Sequence, residues 1–320
     1  MNSSNMIKKI AFLFPGQGSQ SVGMLNAFKT APSTAGLYAS AMLEAEQSLG
    51  QNLGELIENG PAESLNLTVN TQPAMLLADT LVLRAWIAAG GSAPDLAAGH
   101  SLGEYAALVA AGVLSLSEGL ALVRIRAQAM QEAVPVGQGG MAAILGLSDE
   151  QVKQACLQAS VDGEVAEAVN FNAPSQVVIA GSAHGVKSAC EAAKALGAKR
   201  ALELPVSAPF HSSLMKPASV KLAAALGQKK FSTAAFPVYN NIDVAVESDP
   251  ARIQDALVRQ AYGPVRWVET IQAMTSAGTT LFVECGPGKV LAGLVKRISD
   301  VPVVNIYDPD SIQAALTAEQ

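Results

Sequence analysis

Ser101 stands in Gly99-His-Ser-Leu-Gly103, a spacing that fits a nucleophile elbow. In such an elbow a sharp strand-to-helix turn lifts a serine hydroxyl clear of the sheet, and the flanking glycines let strand and helix approach without Cβ clashes. A serine attacks only when a neighbouring base takes its proton, and the chain offers three histidines. His100 adjoins the serine, so its side chain is expected to point to the other side, as a packing group or a hydrogen-bond brace. His184 opens a surface helix and is expected to do nothing catalytic. His211 follows Pro209-Phe210 in a loop, the kind of place where sites are built, and by elimination it is the base. A hydrolase triad also needs an acid between serine and histidine. Asp149 and Asp162 lie there, but at a helix start and in a loop, and neither follows a core strand. Either Asp243 or Asp249, beyond the histidine, supplies the acid, or a backbone carbonyl orients the ring.

These side chains need elements to hold them. The apolar run Lys9–Phe14, stopped by Pro15-Gly16, reads as a strand, and Leu96–Gly99 as the strand that leads to Ser101. Helical spacing covers 72–89, with Pro73 in its first turn, then 102–111 and 117–133, the last opened by serine and glutamate capping residues. Between 140 and 206 the rhythm changes. Strand 141–146, helix 149–159, strands 165–171 and 176–180, helix 183–196 and strand 200–205 give the β-α-β-β-α-β order of a ferredoxin-like unit. Helices at 213–226, 251–262, 265–277 and 289–298 then alternate with strands at 236–239, 280–284 and 301–306. The expected fold is α/β: a large α/β-hydrolase-like domain with a mainly parallel sheet, discontinuous over 1–138 and 207–320. A small ferredoxin-like subdomain, 139–206, is inserted into it.

Composition narrows the chemistry. The chain has 320 residues, half of them hydrophobic, which is enough for a large core. Cys156, Cys190 and Cys285 form neither a C-x-x-C pair nor an even framework, so disulfides and a cysteine-held metal are not expected, and a cytoplasmic setting fits. The histidines lack H-E-x-x-H spacing, so no metal site is expected. A net charge of −6 argues against nucleic acid as partner. The N-terminal stretch shows no secretory pattern, and no apolar run approaches the roughly 20 residues of a membrane span.

Four motifs in order then point one way: Phe14-Pro-Gly-Gln-Gly-Ser-Gln20, Gly99-His-Ser-Leu-Gly-Glu104, Pro209-Phe-His-Ser212 and Gly286-Pro-Gly-Lys289. Together they make the chain, from about residue 8 to 305, resemble the malonyl-CoA:acyl carrier protein transacylases of type II fatty acid synthesis. The resemblance implies Ser101 as the serine that takes up malonyl and His211 as its base. It implies the carbonyl of Gln260, in Arg259-Gln-Ala-Tyr-Gly-Pro-Val-Arg-Trp267, as the group that orients the histidine. Backbone N–H groups of Gln17 and Leu102 would form the oxyanion hole. Arg126, in Arg126-Ala-Gln-Ala-Met-Gln131, would hold the malonyl carboxylate as a guanidinium fork can. Arg124, two residues away, points to another face of the helix and is expected to be a surface or structural charge.

Gln72 in Thr71-Gln-Pro-Ala74 and Asn172 in Asn170-Phe-Asn172 match motifs that line the family's cleft, although a capped helix start and a turn asparagine would explain them equally. Phe210, beside the base, matches a position where an aromatic ring accompanies malonyl selection and a smaller residue accompanies methylmalonyl use. Lys289 reads as a surface charge at a helix start. The resemblance implies malonyl-CoA and an acyl carrier protein as partners, no cofactor, and a monomer. Lys187, Lys194, Lys199, Arg200, Lys216 and Lys289 are candidates for docking the acidic carrier.

Overall fold

Two separate sheets organise the chain, which the computed structural model describes over residues 8–206 and 208–319. The N-terminal reading of residues 1–7 lies outside the described residues. The first stretch runs β1 (Ile10–Phe14), α1 (Asn26–Thr30), α2 (Ala35–Leu49), α3 (Leu53–Asn59), α4 (Ala62–Leu65), α5 (Thr68–Ala88), β2 (Leu96–Gly99), α6 (Gly103–Ala110) and α7 (Leu116–Glu132). Next come β3 (Gly139–Leu145), α8 (Asp149–Ala159), β4 (Ala166–Ala173), β5 (Gln176–Ser182), α9 (Ala183–Ala195) and β6 (Arg200–Glu203). The last stretch holds α10 (Lys216–Leu226), β7 (Val238–Tyr239), α11 (Pro250–Gln260), α12 (Trp267–Ser276), β8 (Leu281–Cys285), α13 (Val290–Val295), β9 (Val303–Ile306) and α14 (Pro309–Glu319).

The first sheet has the order β7-β2-β1-β8-β9, with every pair parallel. A parallel sheet covered on both faces needs strands that are apolar on both sides, and β1 is buried at all five positions. Its alternation still sorts the two cores. Ile10, Phe12 and Phe14 pack with α5, α6 and α7, whereas Ala11 and Leu13 pack with Trp267, Ile271 and Met274 of α12. The second sheet, β4-β5-β3-β6, is antiparallel throughout. It follows the β-α-β-β-α-β succession read from the sequence. It closes its own core: Ala142, Ile144, Val177 and Ile179 meet Val152 and Ala155 of α8 and Val186 and Ala189 of α9.

Several boundaries differ from the sequence reading. Helix α5 starts at Thr68, so Pro73 sits in its second turn rather than its first, inside the helix. Proline there removes one backbone donor. Helix α7 starts at Leu116, because Ser115 and not Ser117 is its cap: the Ser115 hydroxyl accepts from the Glu118 N–H while the Glu118 carboxylate accepts from the Ser115 N–H. The segment expected as helix from 213 opens with a 3₁₀ turn, Ser213–Met215, before α10. Helices α1 to α4, of which α2 is 15 residues long, and the C-terminal α14 were not expected.

Candidate active site

The site is built where β2 ends. Ser101 sits in the left-handed region at φ 54°, a conformation that costs a non-glycine residue energy and persists only where its surroundings hold it. A Cβ on Gly99 would lie 1.8 Å from the Gly103 carbonyl, and one on Gly103 would lie 2.0 Å from the Phe14 carbonyl oxygen. Both glycines are therefore required for β2, α6 and β1 to meet. Gly16 is equally constrained, its Cβ position being 2.5 Å from the His100 carbonyl oxygen, and this contact lays the Pro15-Gly16-Gln17 loop against the elbow.

His211 also has a positive φ, 66°. Its turn is fixed by the Ser212 hydroxyl donating to the Pro209 carbonyl (2.7 Å) and by the Ser213 N–H donating to the carboxylate of Glu167 on β4 (2.6 Å). The Ser101 Oγ and His211 Nε2 are 2.7 Å apart, and His211 Nδ1 lies 2.8 Å from the Gln260 carbonyl oxygen. A carbonyl can only accept, so Nδ1 carries the ring proton and the Nε2 lone pair faces the serine O–H. Burial first, and then the neighbouring Arg126 charge, pushes the His211 pKa down to about 3, so the ring is neutral and able to accept a proton. The two acids left open beyond the histidine are engaged elsewhere. Asp243 pairs with Arg259 (2.6 Å), and Asp249 caps α11 by accepting from the Ala251 N–H.

Arg126, on α7, is 2% exposed. Its Nη1 donates to the Gln72 side-chain oxygen (2.8 Å), and its Nη2 donates to the Gln260 side-chain oxygen (2.9 Å) and to Ser101 Oγ (3.2 Å). Every one of these partners is neutral, and Nε has none. A buried cation held only by neutral groups keeps much of its attraction for an anion. Arg124 turns away and donates to Gln51.

Gln17, Gln72, Leu102, Phe210 and Met130 line one cleft with Ser101, His211 and Arg126. One expectation changes, for Asn172. His100 is the packing and bracing group expected, with a 2.7 Å hydrogen bond to Asn172 Oδ1 and an edge-on contact with Trp267, and the residue also lines the cleft. Asn172 is thus spent on that brace, and Asn170 lines the cleft instead. The reason is local: β4 is irregular between Ala168 and Asn170 and again between Phe171 and Ala173, which breaks the alternation that would put 170 and 172 on one face. His184 lies exposed in α9, and Lys289 sits over the Tyr307 ring.

Sequence reasoning gave no role to Asn241 or Glu104. The Asn241 side chain accepts from the Ser101 N–H and donates to the Gly99 carbonyl, both at 2.8 Å. Glu104 lies one helical turn past Ser101, 2% exposed, its pKa raised to about 7 by burial. Its place directly after the elbow motif was the available signal. No group of three or more histidine, cysteine or acidic side chains among the described residues could hold a metal ion.

A hydroxyl aimed at a neutral imidazole can attack an activated carbonyl, and a guanidinium beside it can hold an acid on the far end of the acyl group. That chemistry places the protein among the acyl-transfer enzymes. The chain belongs to the acyl transferase domain family, whose model matches residues 11–306. It is 50% identical over 310 residues to the malonyl CoA-acyl carrier protein transacylase of Salmonella typhimurium, covering 97% of this chain and 99% of that protein. With the Bacillus subtilis protein of the same name it shares 45% over 312 residues, 97% of each chain. A crystal structure of acyl-carrier-protein S-malonyltransferase from Burkholderia pseudomallei superposes with a TM-score of 0.93 at 59% identity, covering 97% and 99% of the two chains. A malonyl-transacylase in complex with its type II PKS acyl carrier protein superposes at 0.94 with 47% identity, covering 97% and 100%. Among the described residues, no helix is long and apolar enough to cross a membrane.

Proposed function

We propose that this enzyme moves malonyl from malonyl-CoA to the phosphopantetheine thiol of an acyl carrier protein through a malonyl ester on Ser101. The observation that carries the reading is the serine–histidine–carbonyl relay at 2.7 and 2.8 Å with the Arg126 guanidinium 3.2 Å from the same hydroxyl. The malonyl carboxylate takes the guanidinium that neutral amides now hold. Ser101 Oγ attacks the thioester carbonyl as His211 Nε2 accepts the serine proton, and the Gln260 carbonyl stabilises the imidazolium. The backbone N–H groups of Gln17 and Leu102 face the oxyanion; one such donor is worth about 3 kcal/mol. Collapse breaks the C–S bond, and the imidazolium proton leaves on the CoA sulfur. The carrier's thiol then gives its proton to His211, attacks the ester carbonyl, and releases Ser101 with its proton restored.

Gln72 orients Arg126, and Phe210 limits the space at the acyl α-carbon. The ordered steps need no cofactor and no metal. The chain is read as a large domain, 1–138 with 207–320, and a small one, 139–206, which together screen the acyl-serine from water. A cytoplasmic monomer acting for fatty acid synthesis fits the chemistry, with neither nucleic acid nor membrane as partner. Intact-mass analysis tests the reading: malonyl-CoA should leave one malonyl group on the protein, and holo carrier protein should remove it. Malonyl-CoA turned over to free malonate without such an intermediate would overturn it.

A further inference from the structure

The peptide of Ser101 is held from both sides. Its N–H donates to Asn241 Oδ1 (2.8 Å), and its carbonyl accepts from Gln260 Nε2 (2.9 Å). Both holders lead to one atom. Glu104 Oε2 accepts from the Asn241 backbone N–H and from the second hydrogen of Gln260 Nε2, each at 2.9 Å. Gln260 in turn presents its side-chain oxygen to Arg126 and its backbone carbonyl to His211. All three residues are buried. We infer that Glu104 is a positioning residue of this site: by accepting from Gln260 and Asn241 with one oxygen, it sets the serine, the histidine and the guanidinium relative to one another.

The chemistry of the amide explains why an acceptor is needed at that place. Gln260 uses both N–H bonds and its oxygen at once, and only one orientation of the amide does this. Turned over, it would set its oxygen against the Ser101 carbonyl and its N–H₂ against the Arg126 guanidinium, two repulsive contacts. Glu104 opposes that turn from the side where Arg126 cannot act. It reaches Arg126 only through the Gln260 amide, so the guanidinium remains open to a substrate acid. Ser101, in a left-handed conformation, has a backbone that relaxes unless it is held.

The inference rests on the proposed role of Ser101, so the test reads serine reactivity with an uncharged sulfonyl fluoride, alongside single-turnover malonylation. Glu104→Ala should slow both by about 10²-fold, the scale of an ångström's misplacement, while circular dichroism stays native. Glu104→Gln, whose amide oxygen can accept both bonds, should recover to within about tenfold of wild type, one decade of rate being about 1.4 kcal/mol. In a Gln260→Ala background, which keeps the backbone carbonyl, Glu104→Ala should cost clearly less than it does alone, because its main route has gone. Wild-type labelling in Glu104→Ala, or full additivity with Gln260→Ala, would overturn the inference. If Glu104→Ala does not fold, Glu104→Asp, one methylene shorter, should still slow labelling, and an unchanged rate there would overturn it. Wild-type protein that labels with the sulfonyl fluoride but takes up no malonyl would instead count against the proposed reaction and leave this positioning role standing.

Discussion

The two walls of the cleft differ in kind. The wall built on the parallel sheet carries the polar groups Ser101, His211 and Arg126, tied to one another and to the buried Gln260 behind them by hydrogen bonds of 2.7–3.2 Å. The facing wall, from β3, β4 and the segment after β6, brings Met141, Leu204 and Val206 with the neutral amide of Asn170, and contributes no cation or acid. The first wall is held by backbone contacts too close to admit a Cβ, at Gly16, Gly99 and Gly103. The second is continuous with the main core, in which Met141, Leu204 and Val206 pack, while the other face of β3 rests on the small sheet's own core. Reactivity therefore belongs to the rigid, hydrogen-bonded wall, and shape and dryness to the apolar one. Substitutions on the first should change rate, and those around the acyl chain should change choice of substrate.

The largest effect expected from breaking the polar wall, short of losing the serine, is at His211. His211→Ala should slow single-turnover acylation about 10²–10⁴-fold, the usual worth of a positioned base. An unchanged rate would transfer the role to His100. Arg126→Ala should act differently. It should lower kcat/KM for malonyl-CoA far more than for acetyl-CoA, because only malonyl brings a carboxylate, and equal losses for the two would make Arg126 structural. Phe210→Ser probes the shape of the acyl pocket. Overpacking a methyl branch costs about 1–3 kcal/mol, so this change should raise methylmalonyl-CoA use relative to malonyl-CoA roughly ten- to hundredfold. A fixed ratio with a lower Tm would make the ring ordinary core.

The smallest effect is one of pH. An ordinary histidine would protonate near 6.5, and burial with the Arg126 charge carries the His211 value down to about 3. The ring thus stays neutral as pH falls through 6.5, and kcat/KM for acylation should hold its value there. A decline centred near 6.5 that persists in Glu104→Gln, which removes the carboxyl raised to about 7, would show that the base is not held in this dry, cationic setting.

Much of the reactive wall was legible because its constraints are local. Gly99-His-Ser-Leu-Gly103 between an apolar strand and a helix leaves few conformations, and Ser101 and His211, paired by elimination, lie in hydrogen-bonding contact. Helix α2 was not legible: its buried face is only Tyr38, Ala41 and Ala45, too little apolar contrast to stand out in an alanine-rich chain. The group that orients His211 is a backbone carbonyl, and a carbonyl has no signature of its own, so Gln260 entered through family resemblance alone. Asn170 took the cleft position expected of Asn172 because a bulge is invisible to a period-two reading. Glu104 and Asn241 act across 137 residues of chain, a separation no local pattern reports.

The account's central claim is that Ser101, on the polar wall, carries the acyl group. Its most direct test is to quench the protein after brief exposure to malonyl-CoA, digest it and locate the ester by tandem mass spectrometry. A malonyl group on Ser101 alone in the wild type, and none anywhere in a Ser101→Ala protein with a native fold, is the expected result. A malonyl adduct that persists in Ser101→Ala, or that maps to another side chain in the wild type, would contradict it.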